Sequence, residues 1–137
     1  MRFYNREKEL ASLEKVRQVS FSIHSQMTVL TGRRRIGKTS LILKSCEGTP
    51  TVYLFVSRSN ETDLCFGFTA EIRQSLNIYV PEFTNFAELF RFLMDLGTRM
   101  KYNLIIDEFQ EFYYINPVVY SLMQDVWDRY RKQSHVN

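Results

Sequence analysis

The chain has 137 residues, 45% of them hydrophobic and 15% aromatic, which suits one packed domain and excludes a disordered chain. Its formal net charge of +3 is a mild excess, compatible with anionic ligands but far short of a nucleic-acid-binding signature. No apolar run approaches the ~18 residues needed to span a bilayer, so a soluble chain without a membrane partner is expected.

In chain order, "NREKELASLEKVRQV", residues 5–19, carries Leu10, Leu13, Val16 and Val19 at spacings of three and predicts an amphipathic helix capped by Asn5. "MTVLTG", residues 27–32, is a short β-rich apolar run ending in glycine and predicts a buried strand. "KTSLILKSC", residues 38–46, predicts a helix closed by Gly48 and Pro50. A second strand is expected over "TVYLFVS", residues 51–57. A helix follows from Asn60, its cap, to Leu76, with Leu64, Phe68, Ile72 and Leu76 four residues apart.

Pro81 interrupts the chain. The segment 85–98 then predicts a helix whose inner face is Phe86, Leu89, Phe90, Leu93 and Leu96. "YNLIIDEF", residues 102–109, predicts a third strand ending in two acids, and Asn116-Pro117 opens a last helix running to about Lys132. Strands alternating with helices imply crossover connections and a parallel sheet covered on both faces. Cys46 and Cys65 are far apart and lack metal-ligand spacing. With no secretory leader evident at Met1, they read as core residues of a protein in a reduced, cytoplasmic setting.

Gly32-Arg33-Arg34-Arg35-Ile36-Gly37-Lys38-Thr39 matches G-x-x-x-x-G-K-[ST] at every fixed position. Gly32 and Gly37 let the backbone approach a phosphate closely. The loop amides, together with the N-terminus of the helix that holds Ser40, surround an anion with partial positive charge. Lys38 reaches the β- and γ-phosphates, and the Thr39 hydroxyl ligates a bridging Mg2+. The motif is specific in this setting because a strand is expected before it and a helix after it. Arg33, Arg34 and Arg35 fill free positions. Their side chains either raise the local attraction for a polyanion or contact the nucleotide, the acidic strand end or a neighbouring subunit.

A phosphate loop needs an acid at the end of a nearby strand, and "LIIDEF", residues 104–109, supplies Asp107 and Glu108 where sites in open α/β sheets lie. Asp107 is the candidate for the Mg2+ shell, and Glu108 for the general base that orients the attacking water. Together the two motifs point to phosphoryl transfer to water. No N/T-K-x-D segment follows Asp107, which speaks against guanine recognition.

"FYNREKELASLEKV", "TGRRRIGKTSLI", "LIIDEFQEF" and "VYSLMQDVWDRY", in that order and spacing, resemble the AAA+-like P-loop ATPases common in archaea and some bacteria. The resemblance spans nearly the whole chain. It implies a three-layer α/β/α domain with a parallel sheet of order 5-1-4-3-2, ATP and Mg2+ as cofactors, and Asp107 and Glu108 as the acid pair. It also places residues 5–7 near the adenine, making Arg6 a base-side contact.

In that family a sensor strand, an arginine finger and a helical lid follow the last helix read here. His135 and Val136 look like the lead-in to the sensor strand. The expectation is therefore that residues 1–137 form the first part of a longer ATPase domain, truncated after the third strand and its following helix. The strand from Met27 would then lack its neighbours, an association hazard, so the expectation includes self-association or sheet rearrangement and weak hydrolysis. Two further readings stand beside a partner-coupled ATPase: a nucleotide-binding switch with negligible turnover, and a motor module associated with DNA or an appended C-terminal domain.

Overall fold

A computed structural model describes residues 6–30 and 37–137; the expected Asn5 cap and residues 31–36 lie outside them. Helix α1, Glu7–Ser22, runs three residues past the expected end and closes with the Ile23 N–H on the Val19 carbonyl at 2.8 Å. Its stripe of Leu10, Leu13 and Val16 is only half-buried, since α1 packs on α2 rather than in the main core.

The strand expected from Met27 does not form over residues 27–30. Met27 and Val29 are 56% and 76% exposed, and no ladder pairs this stretch. Strand N–H and C=O groups need a neighbour to satisfy them, and among the described residues none lies alongside. Where three strands are expected, the sheet among the described residues is two-stranded.

Helix α2, Lys38–Ser45, begins at Gly37 and ends at Cys46, with Gly48 just beyond at φ 82°. Strand β1, Thr51–Phe55, pairs in parallel with β2, Asn103–Asp107, in the register Thr51↔Asn103 through Phe55↔Asp107. Both strands are shorter than expected at their C-terminal ends. Glu108 leaves β2 in a left-handed conformation, and Phe109–Glu111 form a 3₁₀ turn.

Helix α3, Glu61–Leu76, starts where the Asn60 side chain accepts the Asp63 N–H at 2.8 Å. Helix α4, Phe86–Leu96, starts where Asn85 accepts the Glu88 N–H at 2.9 Å. Each cap satisfies one orphan donor of a first turn. The predicted inner faces of both helices are buried throughout. A short helix α5, Phe112–Ile115, not foreseen in the sequence, precedes α6, Val118–Tyr130.

Alternation along the strands divides their side chains between two faces. Val52 and Leu54, with Leu104 and Ile106 beside them, join the core built by α3, α4 and α6. Tyr53 and Asp107 turn the other way, toward α2. The architecture is α/β with a small parallel sheet, in keeping with a P-loop-like α/β fold.

On the far side of β2, Val136 makes one parallel bridge to Tyr102, and the Leu104 N–H reaches the Asn137 carbonyl at 2.9 Å. Gly97 makes this approach possible. A Cβ there would lie 2.1 Å from Ser134 Oγ and 2.4 Å from Val136 Cγ2. Among the described residues, no helix is long and apolar enough to cross a membrane.

Candidate functional site

The start of α2 and the end of β2 meet at one carboxylate. Gly37 occupies the helix cap position at φ 81°, ψ 22°, a left-handed conformation that glycine adopts without a Cβ penalty. Lys38 and Thr39 therefore open α2, whose first N–H groups and dipole favour an anion at this end. The Thr39 hydroxyl donates to Asp107 Oδ2 at 3.1 Å across 68 residues of chain. Two segments chosen from separate motifs are thus joined directly.

Asp107 is held by more than Thr39. The Tyr53 hydroxyl donates to the same Oδ2, and the Glu108 backbone N–H donates to Oδ1 at 2.9 Å. Burial, followed by the hydrogen bond to Asp107 and the charges of Asp107 and Glu108, pushes the Tyr53 phenol above its ordinary range. It remains a donor at neutral pH.

Glu108 sits at φ 58°, ψ 40°, a region that costs a non-glycine residue of order 1–3 kcal/mol. The bend swings its carboxylate off the strand, where Gln110 donates an amide hydrogen to Oε2. Among the described non-glycine residues, Asn77 at the end of α3 shares this left-handed conformation.

Lys38, Thr39, Asp107 and Glu108 line one end of a cavity of about 710 Å³. Its apolar remainder is formed by the open edge of β2, the Met27–Leu30 stretch, and residues of α1 and α6 such as Leu13 and Trp127. Arg6, at the start of α1, is not among the lining residues, and Ser40 is exposed on α2. Gly32, Arg33, Arg34, Arg35 and Ile36 lie outside the described residues.

The donor set suits Mg2+. Thr39 Oγ1 and Asp107 Oδ2 are hard oxygens in mutual contact, and Mg2+ takes one or two such protein ligands when phosphates complete its shell. Among the described residues no group of three or more His, Cys, Asp or Glu could hold a metal alone. Away from this site, on α3, burial, with Glu61 adding to it, pushes the Cys65 thiol up to about 12, which keeps it protonated at neutral pH.

Sequence reasoning missed Tyr53 and Gln110. Gln110 was visible in "DEFQ", although its sequence position alone assigns it no contact. Tyr53 becomes a neighbour of Asp107 only through the pairing of β1 with β2.

A family model described as an ATPase domain predominantly from Archaea matches residues 3–137. An uncharacterized protein of Methanocaldococcus jannaschii is 32% identical over 133 residues, which cover 96% of this chain and 27% of that relative. The chain thus spans about a quarter of the length of the curated relative it matches. No solved structure matches.

Proposed function

The chain belongs to this family of ATPase domains, and on that premise we propose that it binds ATP with Mg2+ and hydrolyses it, as an AAA+-like domain coupling nucleotide state to a partner. The observation that carries this reading is the Thr39 hydroxyl resting on the Asp107 carboxylate, with Glu108 bent into the adjoining turn. Lys38 would bind the β- and γ-phosphates, with Gly32, Arg33, Arg34, Arg35, Ile36, Gly37 and Ser40 contributing the rest of the cradle and Arg6 the base side. Thr39 and Asp107 would hold Mg2+, which when bound neutralises charge on the phosphate oxygens. Glu108 would take the proton of the attacking water.

The test is Lys38→Ala. Removing a charged hydrogen-bond donor worth about 1.5–3 kcal/mol should weaken ATP binding roughly 10- to 150-fold in calorimetric titration. Equal affinity for the wild type and the variant would overturn the reading. A cytoplasmic setting goes with it, since Cys46 and Cys65 are free thiols.

The strand order 5-1-4-3-2 belongs to the same proposal. In it, β1 and β2 would be strands 2 and 3, which are neighbours in that order as they are here, and Val136, bridged to Tyr102, would lead into strand 4. Past Leu104, the outer edge of β2 has no strand partner among the described residues. Such an edge recruits another chain, so self-association is proposed too. Equilibrium sedimentation at micromolar concentration should show dimers or larger species, and a monomer throughout would remove this part.

A further inference from the structure

We infer that Tyr53 is a positioning residue for Asp107, fixing the carboxylate edge that would face a nucleotide-bound Mg2+; this rests on the function proposed above. Tyr53 pairs with Ile105, one step of the two-residue side-chain repeat before the Phe55↔Asp107 pair. Tyr53 and Asp107 therefore share a face of the sheet, and a side chain of tyrosine's length spans that diagonal.

The contacts divide the carboxylate between its two oxygens. Oδ1 is taken by the Glu108 N–H at 2.9 Å, and Oδ2 by Thr39 at 3.1 Å and by Tyr53. The two hydroxyls on Oδ2 are not equivalent. Thr39 can offer a lone pair to a cation while still donating its proton, and it sits in the first turn of α2, next to Lys38. Tyr53 sits on the sheet beside Asp107, and the hydrogen bond recorded for its hydroxyl among the described residues is the one to Asp107 Oδ2. Its hydroxyl sets the angle of the carboxylate independently of whether a nucleotide is present.

A ligating carboxylate depends on such partners, and their loss typically costs about 10–100-fold in metal affinity. Phenylalanine at position 53 keeps the ring and removes only the donor. In the full chain with ADP present, Tyr53→Phe should weaken Mn2+ binding about 10–100-fold, read by electron paramagnetic resonance. ADP affinity measured in EDTA should stay unchanged. In an Asp107→Ala background, the same substitution should add nothing.

Unchanged Mn2+ affinity would overturn the inference, as would an equal loss in EDTA or a full additional loss without Asp107. Loss of the fold in Tyr53→Phe would also overturn it, assigning Tyr53 to the core instead. If the wild type bound neither ADP nor ADP with Mn2+, the proposed function itself would fail. That result is distinct from a wild type that binds both beside a variant that matches it.

Discussion

Glu108→Gln is expected to lower ATP turnover by about 10²–10⁴-fold, the usual contribution of a positioned general base, while nucleotide affinity stays close to that of the wild type. Glutamine matches glutamate in size and can keep the same left-handed backbone at φ 58°. The Glu108 N–H bond to Asp107 Oδ1 is a main-chain contact and survives the change. What disappears is the charge and basicity of the carboxylate that Gln110 holds through Oε2. Lys38, Thr39 and Asp107 remain, so binding should persist.

The measurement pairs phosphate release with titration of ATP into both proteins. Loss of release with binding intact supports an ATPase with Glu108 as its base. Equal release from both would remove Glu108 from that role. Absence of release from a wild type that binds ATP would instead favour the nucleotide switch.

Legibility in the sequence followed the range of the interaction that fixes each element. Asn60 announces its helix because an N-cap is a contact between a side chain and an amide three residues on, and Asn85 makes the same contact although only the apolar period after it marks that helix. The buried faces of α3 and α4 are likewise set by a local 3.6-residue period. Asp107 was recognisable because it ends an apolar run.

The failures share a cause. Residues 27–30 have the composition of a strand, but a strand exists only where a second strand satisfies it, and composition does not supply the partner. Glu108 was read as the continuation of β2, while its conformation is governed by the turn into Phe109–Glu111 and the amide bond to Asp107. Tyr53 looked like any half-buried strand aromatic. Its chemistry comes from the register of two strands whose starts are about fifty residues apart, which no local pattern reports.

The core offers a second large effect, at Phe86. This residue is fully buried at the first turn of α4, and its N–H donates to Glu61 Oε2 at 2.7 Å. Its ring meets Phe68 of α3 edge-on at 5.7 Å, Phe90 at 6.3 Å and Phe112 of α5 at 4.8 Å. One side chain thus joins three helices. Phe86→Ala would leave a cavity among rigid rings that cannot easily collapse, at a cost of about 3–5 kcal/mol. Against a total stability of about 5–15 kcal/mol for a domain, that is a large share. The thermal midpoint should fall by roughly 10–20 °C.

Urea unfolding with an unchanged slope would assign the loss to stability alone, and a loss under about 1 kcal/mol would show that the ring cluster repacks. The chain of rings continues from Phe112 to Phe109, at 5.8 Å, beside Glu108. Thr39 and Tyr53, by contrast, approach Asp107 from the opposite face of the sheet. Well below the lowered midpoint, Phe86→Ala should therefore impair turnover through Glu108 more than it impairs ATP binding. A matched fall in both would mean that the two faces of the sheet do not act separately.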